Sequence, residues 1–147
     1  MEIFGSRING YCGKHFLTVA KTALKVWSNE VNLTYNCYEH FMLGNGRGAG
    51  FHQFSGLSTP VMLWYKAYYV SGTINCGFSA LITDERWNED KTSAEISING
   101  DSDIALIITL NDKYEYTFEG VNKAVKVHNG TYVLIHDGTG KITAKAI

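Results

Sequence analysis

Residues Val127–Ile147 read VHNGTYVLIHDGTGKITAKAI. Their reading decides whether the chain is a scaffold of strands or a frame for chemistry. Two histidines, an aspartate and Gly130, Gly138 and Gly140 fall within one short stretch. His128 precedes an Asn-Gly pair and His136 an Asp-Gly pair, so each histidine ends a strand. Between them Val133 and Ile135 point one way and Tyr132 and Leu134 the other, the period-two pattern of a strand. The glycines serve turns that need positive backbone angles. A working histidine pair would also need a carboxylate or nucleophile brought in by tertiary structure, and the sequence shows none. We therefore expect a final hairpin turning at Asp137-Gly138, closed by KITAKAI as a half-exposed strand suited to a sheet edge.

The same alternation recurs upstream. Strands are expected over 31–43, 61–70, 73–83, 94–98, 104–110, 114–118, 125–127, 132–135 and 142–146, with turns at Asn99-Gly100, Asn111-Asp112, Asn129-Gly130 and Asp137-Gly138. The spacing predicts an all-β chain, one antiparallel β-sandwich of about nine or ten strands over residues 1–147, jelly-roll or Ig-like in type. One segment fits a second pattern. In KHFLTVAKTALKVW, Phe16, Val19, Ala20, Ala23, Leu24 and Trp27 share a helical face opposite Lys14, Thr18, Lys21, Thr22 and Lys25. That would be a cationic amphipathic helix of the interfacial kind. Dense valine and threonine, and β neighbours, favour a strand leaving through Ser28-Asn29-Glu30.

Composition agrees with strands and tight turns: 15 glycines stand against one proline, with nine tyrosines and seven phenylalanines. A formal net charge of −1 gives no field to attract nucleic acid or an anionic membrane. Cys12, Cys37 and Cys76 are odd in number and widely spaced, which argues for reduced, partly buried thiols. No apolar run reaches the length of a membrane span, and MEIFGSRINGYCGK lacks the order of a signal peptide, so synthesis in a cytoplasm is expected. In that setting the sequons at Asn32 and Asn129 carry no sugar.

Motifs for catalysis, cofactors and metals fail on context. GNGRGAG (44–50) lacks the following helix that a dinucleotide fold requires. GTGK (138–141) lacks both the upstream glycine and the hydroxyl residue of a phosphate loop. Cys37, His40, His52 and Cys76 have zinc-ligand chemistry, but alternation puts the first two on opposite faces. Ser79 in GFSAL lies in a strand pattern rather than a nucleophile elbow. NGDSD (99–103) begins like a calcium loop without the later glycine or closing glutamate. The expectation is no enzyme, no cofactor and no metal. The residues left as partner or receptor contacts are Arg47 and Phe51, on a glycine-rich loop flanked by aromatics, Trp64 and Tyr68 in WYKAYYV, and Trp87 within the charged connection DERWNED.

HDGTGKITAKA, SAEISINGD and SRINGYCGKHFLTV leading to VNLTYNCYEHF together resemble the β-sandwich modules of tail, baseplate and receptor-binding proteins of long-tailed bacteriophages. The resemblance covers about half of the chain, and DERWNED and GNGRGAG have no counterpart in it. It implies a virion structural protein, made in the host cytoplasm. Such a protein assembles with itself and other virion proteins and contacts a host cell-surface glycan or protein. The alternative is a small lectin or pore-forming cytolysin of β-sandwich type, supported by the aromatics and the cationic helix.

Overall fold

A computed structural model describes residues 9–76, 80–102 and 104–147, without the side chains of residues 9–17, Ser55 and Leu57. The expected strand at 14–27 is helical: α1 runs Asn9–Thr34. From Lys14 to Thr34 there is neither glycine nor proline, and Ala20, Lys21, Ala23, Leu24 and Lys25 are strong helix formers. The β-branched residues cost only a few tenths of a kcal/mol each, so the 3.6-residue pattern prevails. Ser28-Asn29-Glu30, expected as a turn, lies inside this helix. The expected strand over 31–43 is split: Val31–Thr34 finish α1, and Tyr35 ends it in the left-handed conformation at φ 57°, its N–H bonded to the Val31 carbonyl. Strands β1 (Tyr38–Phe41) and β2 (Gly48–His52) then form a two-stranded antiparallel hairpin.

Of residues 61–70, also expected as a strand, 61–69 belong to helix α2, Ser55–Tyr69. Its buried positions Val61, Ala67 and Tyr68, with half-buried Trp64, follow helical spacing. A short apolar run does not distinguish a strand from a buried helix face.

The chain divides into two compact units, Leu17–Lys66 and Met1–Phe16 with Ala67–Ile147. Eight strands make up the second. β3 (Thr73–Cys76), β6 (Ile104–Thr109), β9 (Thr131–His136) and β8 (Lys123–His128) form one antiparallel sheet in the order β3-β6-β9-β8. β4 (Ala80–Trp87), β5 (Ser93–Gly100), β10 (Gly140–Ala146) and β7 (Tyr116–Glu119) form the other, in the order β4-β5-β10-β7. Alternate residues of both sheets, among them Ile96, Ile98, Leu106, Ile108, Leu134 and Ile142, are buried together in one core.

The chain is thus mostly β, with two helices and antiparallel sheets packed together, and several expected connections differ. The expected strand over 73–83 is two strands in different sheets, unlike the Ig arrangement, in which the first two strands pair. Asp137-Gly138 is not a hairpin turn, because β9 pairs with β6 and β8 while β10 pairs with β5 and β7; the link crosses between sheets. KITAKAI is consequently an inner strand rather than an edge. Asn99-Gly100 ends β5, and Asp84–Trp87 of the expected exposed connection is strand β4. Asn129-Gly130 does turn the β8–β9 hairpin, with Gly130 at φ +70°. Dipeptide signals specify local backbone angles; which sheet receives the next strand is a non-local choice.

Candidate interaction surface

In the unit Leu17–Lys66 the hairpin lies along α1. Glu30 is buried at 3% exposure, and its carboxylate accepts a bond from Arg47 Nε at 2.8 Å. Because a buried carboxylate is costly without a partner, this pair holds the hairpin loop against the helix. Trp27 on α1 donates from Nε1 to Ser58 Oγ of α2 at 2.9 Å. Arg47, expected as a partner or receptor contact, is therefore engaged within the chain, although its side chain remains half exposed.

Beside these contacts lies a cleft of about 400 Å³, lined by Thr18, Val19, Thr22, Ala23 and Val26 of α1 with Phe41 of β1 and Val61 of α2. Its walls are almost wholly apolar, since the Thr22 hydroxyl is spent on the Thr18 carbonyl. The apolar exposure around it is unusual. Among the described residues, this unit buries only Ala20 and Val61 of its apolar side chains. Of the fourteen exposed large hydrophobic residues among those described, ten belong to it, including Leu33 (64%), Tyr35 (89%), Leu43 (106%) and Phe51 (75%). Phe51, singled out from the sequence, is thus on the surface, as is Met42.

The remaining expected contacts are placed differently. Trp64 is half-buried, with its indole nitrogen enclosed. Tyr68 is completely buried, so its side chain offers no surface; burial alone pushes its phenol up to about 12. Trp87 lies on the core-facing side of β4, opposite Ala94, and is half-buried. It borders a hollow of about 320 Å³ of mixed polar and apolar lining that also touches Arg86, Glu95, Thr143 and Lys145. Arg86 there is paired with Asp84 at 3.1 Å.

The histidines have structural surroundings. His136 is buried, and its Nδ1–H donates to the Gly120 carbonyl at 2.5 Å. His128 stacks edge-on against Tyr69, with ring centres 5.3 Å apart. The Thr109 and Thr131 hydroxyls stand 3.0 Å apart and within bonding reach of the carbonyls of Ala67 and Tyr68 at the end of α2, and their two protons serve two of these three contacts at a time. Cys37 and Cys76 are free and half-buried, and burial raises the Cys76 thiol above its usual value. Ser79, Asp103 and the side chain of Cys12 lie outside the described residues. Among the described residues, no three of His, Cys, Asp and Glu gather closely enough to hold a metal, and no helix is long and apolar enough to cross a membrane.

Sequence reasoning missed Leu33, Tyr35 and Leu43 as surface residues. For Leu33 the signal available was the helical spacing that continues from KHFLTVAKTALKVW; Tyr35 and Leu43 lie beyond the helix and had none. No protein-family model, curated protein or solved structure matches the chain.

Proposed function

We propose that this protein is a non-enzymatic building block of a larger particle, a virion component of the phage tail, baseplate or fibre kind. The eight strands of the second unit act as a β-sandwich scaffold, and the helical unit carries the assembling surface. The observation that supports this most is the concentration of exposed apolar side chains in a fifty-residue unit with almost no core of its own. A body of that size needs external burial to be stable. Solitary monomers rarely expose apolar patches beyond a few hundred Å². Copies of the chain and other virion proteins would cover that surface, and the polar outer face of the β4-β5-β10-β7 sheet is left for a host glycan or protein.

The β4 edge of that sheet suits a scaffold that joins partners elsewhere. β4 carries an irregularity between Ile82 and Asp84 and the charged run Asp84-Glu85-Arg86, both of which discourage strand addition. Sedimentation of the purified chain should show a defined oligomer, or a monomer that co-sediments with other virion components. A strict monomer that ignores those components, and instead binds sugar-coated resin or releases dye from vesicles, would replace this reading with the lectin or cytolysin one. The apolar cleft keeps that second reading in play.

A further inference from the structure

We infer that Asn129 is a site of spontaneous covalent modification: its side chain closes onto the Gly130 nitrogen, loses ammonia, and reopens with water to aspartate or isoaspartate in the β8–β9 turn. The step favours an asparagine followed by glycine, because glycine leaves the attacking backbone nitrogen unshielded by a side chain. That nitrogen gives up its proton to solvent base and attacks Asn129 Cγ. A C–N bond forms, closing a five-membered imide, and the side-chain amide nitrogen leaves with a proton as ammonia. Water then adds to one imide carbonyl and breaks one C–N bond. Opening at the side-chain carbonyl gives aspartate; opening at the main-chain carbonyl gives isoaspartate, with the backbone now running through the side-chain methylene. Water is the only co-reactant, and either product adds one negative charge to a chain whose formal net charge is −1.

Asn-Gly occurs four times, at 9–10, 45–46, 99–100 and 129–130, and the side chain of Asn9 lies outside the described residues. Asn45, Asn99 and Asn129 are all exposed, so access to water does not choose between them. Hydrogen bonding does. Asn45 Oδ1 accepts from the Arg47 N–H at 2.9 Å, and the Gly46 N–H donates to the Met42 carbonyl at 2.9 Å. Asn99 Oδ1 accepts from Thr139 Oγ1 at 2.9 Å, and the Gly100 N–H donates to that same hydroxyl at 3.3 Å. At both places the side chain and the nitrogen that must meet are each held elsewhere. At Asn129-Gly130 neither has a partner among the described residues. The Gly130 carbonyl does accept from the Leu110 N–H at 2.8 Å, but it belongs to the next peptide plane and does not turn when the ring closes.

A net hydrogen bond that must break before ring closure slows it roughly 2- to 12-fold, so two such bonds slow it by a factor of roughly 5 to 150. Asn129 should therefore convert at least about fivefold faster than Asn45 or Asn99 in the folded chain. The two products differ in what they do to the fold. Aspartate keeps the length of the turn. Isoaspartate lengthens the main chain by one atom immediately before Gly130, which lies against the Leu110 carbonyl and Asp112, and before Thr131, which is completely buried with its hydroxyl near the Tyr68 carbonyl. Gly130 and Thr131 cannot both keep these places, so the isoaspartate form is the less stable one.

The test holds the full-length chain at mildly alkaline pH, once folded and once in concentrated urea, and follows the peptides containing Asn45, Asn99 and Asn129 by mass spectrometry. In urea the three should convert at similar rates, since glycine follows each of them. Folded, Asn129 should lead by the factor above. Equal rates in the folded chain overturn the proposal, as does an Asn45 or Asn99 that converts first, or an Asn129 left intact while the urea sample reacts. Isoaspartate in the peptide spanning the β8–β9 turn, detected by enzymatic methyl labelling, should vanish in Asn129→Gln, whose longer side chain closes the ring poorly; label persisting there would place the reaction elsewhere and overturn the site. Aged protein carrying the extra charge is then separated by anion exchange and compared with freshly made Asn129→Asp. Its isoaspartate fraction should unfold at a lower urea midpoint than that variant, and equal midpoints would overturn the displacement of Gly130 and Thr131.

Discussion

Replacing Gly120 by alanine should cost more than replacing Gly138 by alanine, and the difference isolates one backbone approach. Both glycines have positive φ, +75° and +71°. At Gly138 an added Cβ meets nothing within 4 Å, so only the left-handed conformation is penalised, by about 1.5 kcal/mol. At Gly120 the same atom would stand well inside 3.0 Å of the Lys141 carbonyl oxygen, a backbone atom of β10. Retreat is hindered on both sides, by the bond from His136 to the Gly120 carbonyl and by the pairing of Glu119 with Thr143. Forcing β7 from β10 should add about 2 kcal/mol, within the range for overpacking. At about 2–4 °C per kcal/mol for a protein of this length, Gly138→Ala should melt about 3–6 °C lower and Gly120→Ala about 7–14 °C lower. Thermal unfolding followed by circular dichroism measures both. Equal losses would refute the close approach of β7 to β10, and no loss at Gly138 would refute its left-handed conformation.

Other outcomes follow from single contacts. Thr131→Val, which keeps the shape but removes the hydroxyl bonded to Tyr68 and Thr109, should lower denaturant stability by about 1–3 kcal/mol; an unchanged midpoint would count against that buried network. Arg47→Ala should destabilise the chain more when Glu30 is present than in a Glu30→Gln background, giving a coupling above about 1 kcal/mol in a double-mutant cycle. Additive losses would show that the pair does not hold the hairpin. Tyr68, Tyr116 and Tyr132 are held up to about 12, chiefly by burial. Because the unfolded phenols ionise near 10, their stabilisation is full below pH 10 and is lost as pH rises toward 12. An ultraviolet titration should show these tyrosines ionising late, together with unfolding, and ionisation of all nine near pH 10 in folded protein would contradict their burial.

The β half of the molecule was legible because its strands alternate cleanly. In SAEISING the residues Ala94, Ile96 and Ile98 are buried and Glu95 and Asn99 exposed, as period two requires. Strands near 94–98, 104–110, 132–135 and 142–146 could thus be placed without coordinates, and so could the Asn129-Gly130 turn. The helical half was misread because its residues satisfy two periods at once. Val31, Leu33, Tyr35 and Cys37 alternate, yet Val19, Ala23, Val26, Glu30 and Leu33 also keep helical spacing, and propensity differences of a few tenths of a kcal/mol per residue are too small to choose by eye.

What the sequence determined by itself was local: positive φ at Gly130 and Gly138, and the buried and wet faces of the strands it placed. Sheet membership was left to tertiary structure. β9 and β10 are separated by a three-residue link, and nothing within it says that one pairs with β6 and the other with β5. That choice comes from burying Leu134 and Ile142 in one core from opposite sheets, a gain shared by residues far apart in the chain. The same holds for the surface. Tyr68 and Phe51 are comparable aromatics in sequence, but the first is enclosed and the second left in water because exposure belongs to the packed whole and not to the residue.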